Sequence, residues 1–392
     1  MVIGALAGGV LGAMAPEAAQ HVVVLGDLWI RMLQMLVVPL IISSIIQGVG
    51  SLGDIRHLGR LGGVTVAYYL ITSGLAIILG MILVKLIQPG VGADITAAVA
   101  PLGTEAAVKH GWIDLLRGFI SPNIFASATQ GDLLPLVIFS LAFGAVLTTV
   151  GEKGQLVINI FEGIFAAIMK LVHLVMWIGP IGVFGLVAGR LAIAGGSEGI
   201  VALLVGLGLF TITVIVGLVI HAGISLGLIL HLAGQRHPFT YMGFLGAALT
   251  SAFATASSSA TLPLTMEGVE RAGIRTRSSR FVLPIGATVN MDGSALYEAV
   301  AAVFIAQAWG IDLPVTALMA LFIVATVSTI GAAGIPEAGL VTMVVVLQAV
   351  GLPLEGLGLL LAIDWLIDRF RTAVNVWGDA VGAAVVDRYV PG

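Results

Sequence analysis

The chain contains no cysteine in 392 residues, which excludes a disulfide framework and any thiolate metal centre. Charge is scarce too: Asp, Glu, Lys and Arg make up 10% of the residues, against about 25% in a soluble domain. The net charge is −4 and no basic tract is present, so nothing points to a nucleic-acid partner. No Gly-Lys dipeptide occurs, which removes the phosphate-binding loop of a P-loop ATPase. The triplet Ser257-Ser258-Ser259 has no His nearby and no nucleophile is paired with a base, so an intramembrane hydrolase is disfavoured and no enzyme is expected. What fills the chain instead is apolar. Hydrophobic residues reach 59% at a mean hydropathy of +1.12, and the 52 glycines suit close helix packing in lipid. This is the composition of an all-α, multi-pass membrane protein.

Apolar segments run over 22–50, 62–87, 112–150, 157–193, 200–232, 239–268, 281–309 and 313–350, followed by a last span. Residues 1–15 read as a short first span without the basic flank or cleavage site of a signal peptide. Several segments exceed the ~20 residues that one crossing needs, so they are tilted, broken or doubled back. Pro122, Pro135 and Pro180 mark the expected breaks. The loops with Arg56 and Arg60, with Arg236, with Arg271, Arg275, Arg277 and Arg280, and with Arg388 should be cytoplasmic. Glu105, Lys109 and Asp114 then fall in a solvated outer loop.

With the loops on both sides of 239–268 inside, that segment must enter and return. Its centre, from Thr255 to Pro263, is a polar tip suited to a re-entrant hairpin. The same parity makes 313–350 a hairpin from the outside, broken around Ser328–Gly339. Two such hairpins of opposite sense form the inverted-topology pair of alternating-access carriers.

Two polar stretches carry the chemistry. Asp364, Asp368, Arg371, Asn375 and Asp379 follow at steps of 4, 3, 4 and 4, with Thr372 beside them, and therefore share one helix face. A charge facing lipid there costs about 2.5–3.5 kcal/mol, so the stripe faces protein, ions or a solute. A purely internal salt-bridge stripe is the competing reading. The extra carboxylate and the uncharged Thr372 and Asn375 favour small ligands. The second stretch, Asn290-Met291-Asp292-Gly293-Ser294, should unwind an apolar helix and free its carbonyls. Carbonyl and carboxylate oxygens without Cys or His suit Na⁺ or K⁺. His173 and His221, in apolar spans, read as interhelical hydrogen-bonding residues rather than proton relays.

Ser257-Ser258-Ser259-Ala260-Thr261-Leu262-Pro263, Asn290-Met291-Asp292-Gly293-Ser294, Gly331-Ala332-Ala333-Gly334-Ile335-Pro336 and the Asp364–Asp379 stripe occur in this order. Together they resemble the glutamate transporter family of dicarboxylate/amino acid:cation symporters, with motifs nearest to the excitatory amino acid transporters. Tyr68-Tyr69, Thr72-Ser73, Pro39 and Ser43-Ser44 fit as well, so the resemblance covers nearly the whole chain.

The resemblance implies a homotrimer in the plasma or inner membrane with eight transmembrane helices and two re-entrant hairpins, at about 239–270 and 313–350. A scaffold of 1–60 and 112–195 would hold a moving transport domain of 61–111 and 196–392, an elevator whose second hairpin closes over the substrate. The cargo would be an acidic amino acid with Na⁺. Ser257, Ser258 and Asn375 would meet the α-carboxylate, Asp368 the ammonium and Arg371 the side-chain carboxylate. Ser294, Ile335, Gly339 and Thr372 would complete the pocket. One Na⁺ would use Asp379 with carbonyls of Gly286, Asn290 and Asn375. A second would use Thr288, Thr329, Ile330 and Ala332 near Met291. A third would use Tyr69, Thr72, Ser73, Asn290 and Asp292.

Several positions depart from parts of the family. Ser294 replaces the usual Thr, Glu337 stands where the animal excitatory carriers have Gln, and Ala256 where archaeal members have Arg. This chain has Arg369 in the last helix instead, as the excitatory carriers do. Glu298 lies within an apolar helix, where desolvation disfavours a charged carboxylate, so it is a candidate proton carrier. With Arg369 it implies H⁺ symport and K⁺ counter-transport; the bland alternative is that Glu298 pairs with Arg369 or Tyr297. A proton-coupled dicarboxylate or neutral amino acid carrier is the competing function, disfavoured by having both Asp368 and Arg371. A pure anion channel would not need a two-gated pocket.

Overall fold

In the computed structural model, residues 2–50, 59–92, 119–193, 197–331 and 338–390 are described. Glu105, Lys109 and Asp114 lie outside the described residues, as do Ala332, Ile335 and Glu337.

Every regular element among the described residues is helical. Helices α1 (Val2–Met14) and α2 (Pro16–Gly50) part at Ala15. Pro16 takes the first helical position, where its missing N–H is no loss. Next come α3 (Gly59–Ile87), α4 (Ile124–Gln130), α5 (Leu133–Leu147), α6 (Glu152–Trp177) and α7 (Gly179–Ile193). The long apolar segment 157–193 is thus two helices that part at Ile178, beside Pro180. The long segment 112–150 is likewise broken beside its prolines, with α4 and α5 parting at Gly131-Asp132. Pro135 stands in the first turn of α5 and Pro122 just ahead of α4, so both mark helix starts, where proline is tolerated.

Helix α8 (Ser197–Ile220) passes through a π turn (His221–Ser225) into α9 (Leu226–Leu232). Helices α10 (Pro238–Phe244), α11 (Gly246–Thr255) and α12 (Ser258–Arg271) follow. Helices α11 and α12 pack on each other across a two-residue break. At that break Ala256 takes left-handed backbone angles (φ 49°, ψ 36°) and Ser257 is extended. Helix α13 (Thr276–Val289) ends at Asn290-Met291, and α14 (Asp292–Ala308) begins immediately after, so the apolar helix is interrupted at the expected residues. Helix α15 (Val315–Ser328) ends in a 3₁₀ turn (Thr329–Gly331). Helix α16 (Ala338–Ala349) and a second 3₁₀ turn (Leu354–Gly356) lead to α17 (Leu357–Tyr389).

Five helical runs are long and apolar enough to cross a membrane: α2, α3, α6, Leu204–Leu232 and Thr276–Ala308. Shorter apolar helices include α1, α5 and α15. The outward surface is apolar as well; Leu70, Ile71, Leu75, Ile78, Ile82 and Leu86 stand exposed along α3, as a face against lipid requires.

Packing sorts the helices. Helices α1 and α2 lie on α7, and α2 also contacts α5 and α6. Helix α3 packs on α14, which contacts α8 and α17; α17 in turn receives α11, α12 and α13. Helix α14 is the innermost element, buried along its length apart from Gln307. The indole Nε1 of Trp29 donates to the carbonyl of Val175 at 2.9 Å, tying α2 to α6.

Small residues allow the closest approaches. A Cβ at Gly185 would lie 2.6 Å from the carbonyl oxygen of Val22 and 2.8 Å from the amide of Gly26. Gly185→Ala should therefore force α2 and α7 apart and cost about 1–3 kcal/mol. Gly163→Ala is the control, because nothing stands within 4 Å of that added methyl. Thermal melts of the two purified variants check this: the first should melt below the unmodified protein and the second should not.

Candidate functional site

The polar stripe of α17 is buried. Arg371 is 0% exposed, and Asp364, Asp368, Thr372, Asn375 and Asp379 are all buried with it. Arg371 Nη2 lies 2.8 Å from Asp368 Oδ1 and 3.1 Å from Asp364 Oδ1. Its guanidinium carbon stands 4.1 Å above the centre of the Tyr297 ring. The same guanidinium keeps two donors in reserve, since among the described residues Nε and Nη1 have no hydrogen-bond partner. Buried donors left unmade cost about 1–3 kcal/mol, and an anionic acceptor would satisfy Nη1. Gly339 leaves the room, because a Cβ there would meet Nη1 at 2.7 Å.

Other predicted substrate residues lie on α17 itself and on α14 and α12, which both pack on it. Asn375 accepts from the amide of Gly293 at 2.7 Å through Oδ1, which turns its Nδ2 toward Met291 Sδ (3.2 Å) and Ser294 Oγ (3.5 Å). Thr372 returns its hydroxyl to the carbonyl of Asp368 at 2.8 Å. Ser257 caps α12, accepting from the amide of Ala260, and Ser258 opens that helix in a buried position. A helix N-terminus favours anions. Helix α12 and its partner α11 both pack on α17. Arg369 anchors that pair by donating to the carbonyls of Phe253 (3.1 Å) and Ala254 (2.7 Å) at the end of α11.

A second cluster lies one helical step away. Asn290 Nδ2 donates to Asp379 Oδ1 at 3.0 Å, and Asn290 Oδ1 accepts from the hydroxyl of Thr72 at 3.3 Å. Ser73 donates to Asp292 Oδ1 at 2.8 Å. Tyr69 gives its hydroxyl to the carbonyl of Val282 at 2.6 Å. It stands against Gly286 together with Asp379: a Cβ at Gly286 would lie 2.4 Å from Asp379 Oδ1 and 2.9 Å from the Tyr69 oxygen. The interrupted helix therefore brings the predicted residues of two ion sites into one body of carboxylate, amide and hydroxyl oxygens. Such a donor set suits a hard monovalent cation.

The remaining predicted ligands are placed less tightly. Thr288 turns its hydroxyl back to Ile285, and Thr329 to Thr326. The turn Thr329–Gly331, which holds Ile330, packs against α13. Ala332 and Ile335 lie outside the described residues.

Glu298 is fully buried and accepts from Ser328 at 2.9 Å. Its contact is not Arg369, whose Nη1 is engaged on α11. His173 also departs from expectation: its Nδ1 meets the carbonyl of Met169 in its own helix at 2.6 Å, so it bridges no helices there. His221 does bridge, with Nε2 3.4 Å from Asp292 Oδ2.

Four contributors were not assigned from the sequence. Tyr297 supplies the ring under Arg371 and Asp364 its second carboxylate. Ser328 holds Glu298. Gly378 admits the second cluster, since a Cβ would come within 3.0 Å of Asp292 Oδ2 and 3.2 Å of Asn290 Nδ2. Asp364 and Gly378 could have been found from their places on the stripe. Tyr297 and Ser328 carry no such signal.

Comparison with known proteins adds the following. Residues 1–389 match the family model described as "Sodium:dicarboxylate symporter family". Excitatory amino acid transporter 4 of Mus musculus is 38% identical across 92% of this chain and 76% of its own length. Excitatory amino acid transporter 2 of Rattus norvegicus is 37% identical across 98% and 77%. Excitatory amino acid transporter 3 of Homo sapiens is 38% identical across 93% and 78%.

The doubly paired guanidinium sets a stability expectation of its own. Asp364→Ala should destabilise the protein by about 1–3 kcal/mol, because it strips one charged partner from a buried group. The exposed pair Glu267–Arg271, 4.0 Å apart on one helix, should contribute about 0–0.5 kcal/mol. Thermal melts of Asp364→Ala and Glu267→Ala in detergent compare the two.

Proposed function

The chain belongs to the sodium:dicarboxylate symporter family, and from that premise we propose that its cargo is an acidic amino acid, L-glutamate or L-aspartate, carried with sodium. It is a multi-pass membrane transporter, not an enzyme. The observation that carries the cargo assignment is Arg371: a fully buried guanidinium with two donors unmade, next to a carboxylate that can take an ammonium. A neutral amino acid leaves the Nη1 donor unmet, and a dicarboxylate without an amine brings no ammonium to Asp368.

Each side chain has a role in this reading. Arg371 takes the side-chain carboxylate through Nη1, a charge-assisted hydrogen bond on the side that Gly339 leaves open. Asp368 takes the ammonium. Asn375 Nδ2, Ser257 and Ser258 receive the α-carboxylate at the N-terminus of α12, and Ser294, Thr372, Ile335 and Gly339 complete the pocket. Sodium neutralises Asp379 with carbonyls of Gly286, Asn290 and Asn375, and Asp292 with Tyr69, Thr72, Ser73 and Asn290. A further sodium near Met291 uses carbonyls of Thr288, Thr329, Ile330 and Ala332. Because the ions and the substrate share Asn375 and the Asn290–Ser294 interruption, each raises the affinity of the other.

The mechanical reading is an elevator. Scaffold residues 1–60 and 112–195 form a homotrimer, while 61–111 and 196–392 move. The re-entrant hairpins about 239–270 and 313–350 face the substrate from opposite sides, and the second closes over it. The packing of α1 and α2 on α7, and of α3 on α14, agrees with that division. The site for the return journey is Glu298, which carries a proton inward and goes back bare while K⁺ replaces the ammonium and Arg369 shifts its hold on α11.

The test is uptake into proteoliposomes under a sodium gradient. The unmodified protein should accumulate aspartate or glutamate in preference to serine and succinate. Arg371→Ala should lose about 3–5 kcal/mol of acidic-substrate binding and accept serine. Undiminished aspartate and glutamate binding in that variant would overturn the assignment. For the return step, vesicles preloaded with K⁺ should support faster uptake than choline-loaded ones, and Glu298→Gln should abolish that advantage. Equal rates in K⁺ and choline would remove K⁺ from the cycle.

A further inference from the structure

His221 has no role in the sites above, yet it is fully buried against one of them. It opens the π turn His221–Ser225, in which the amide of Leu226 reaches back to the His221 carbonyl. A π turn inserts a residue into a helix, re-aims the side chains around it and gathers at functional sites. This one is held from outside: the Trp377 indole donates to the carbonyl of Ala222 at 3.0 Å. Trp377 immediately precedes Gly378, the residue whose missing side chain makes room for Asp292. The pin and the gap therefore belong to one turn of α17.

The re-aimed imidazole meets Asp292. Its Nε2 lies 3.4 Å from Oδ2, while Ser73 holds Oδ1 at 2.8 Å. An ionised carboxylate only accepts, so Nε2 must carry the hydrogen. Nδ1 has no partner among the described residues. Each oxygen of Asp292 thus has one donor from a different helix. That arrangement fixes the plane of the carboxylate.

We infer that His221 is a positioning residue of the sodium site: its Nε2–H, on a π turn pinned by Trp377, orients Asp292 for the cation. The inference rests on the sodium-symport reading. It goes beyond that reading by assigning ion affinity to a side chain that touches neither ion nor substrate.

The full-length protein in proteoliposomes provides the test, with two readouts for each variant: the sodium concentration that gives half-maximal uptake, and substrate affinity at saturating sodium. His221→Leu keeps the bulk and removes the donor. It should raise the half-maximal sodium concentration about ten-fold and leave substrate affinity at saturating sodium within about two-fold. His221→Gln puts an amide N–H near the place of Nε2 and should return the sodium dependence to within about three-fold of the unmodified protein. Trp377→Phe keeps an aromatic ring but releases Ala222, and should raise the half-maximal sodium concentration at least about three-fold. A sodium dependence in His221→Leu within about two-fold of the unmodified protein, or equal shifts in the Leu and Gln variants, would overturn the inference. Should the Leu variant fail to fold, Trp377→Phe decides: an unchanged sodium dependence overturns it. Loss of all sodium dependence in the unmodified protein would instead sink the symport reading.

Discussion

Among the described residues, five carboxylates are buried: Asp292, Glu298, Asp364, Asp368 and Asp379. One guanidinium, Arg371, is buried with them. Taking an ion out of water still costs several kcal/mol after relaxation, and the cost is recovered only by a well-placed counter-charge or by neutralisation. One guanidinium cannot serve five carboxylates. It meets two of them directly. In the proposed cycle sodium serves Asp292 and Asp379 and a proton serves Glu298, so the proposed coupling of ions to substrate starts from that imbalance of buried charge.

The backbone serves this shortage by breaking its helices where charge is held. The interruption at Asn290-Met291 sets Asn290 between Asp379 and Thr72 and starts α14 with Asp292. The break at Ala256-Ser257 presents a helix N-terminus to α17. Irregular backbone at membrane depth survives only where protein or solute satisfies it, and the helices on both sides of each break pack on α17. Helix α17 supplies the continuous face that every partner reads.

Much of this was legible in the sequence, for physical reasons. Charges inside an apolar run demand partners, and helical spacing puts Asp364, Asp368, Arg371, Asn375 and Asp379 on one face, where the structure finds them buried together. Asn290-Met291 was readable as an interruption because Asn, Asp and Gly favour turns. Partners distant in the chain were not readable. Nothing in the spacing says that Tyr297 lies under Arg371, that Ser328 reaches Glu298, or that a π turn aims His221 at Asp292. The prolines were legible too: Pro122, Pro135 and Pro180 each stand at or just ahead of a helix start, where proline costs nothing, so the long apolar segments divide beside them.

The central claim is that sodium supplies the charge that lets the pocket hold its substrate. The most direct measurement is calorimetric titration of the purified protein with aspartate and with glutamate over a series of sodium concentrations, with choline holding ionic strength constant. Linkage predicts that the dissociation constant falls steadily as sodium rises, with a log–log slope steeper than −1 because more than one ion is taken up with each substrate. A dissociation constant that does not change with sodium would contradict the account.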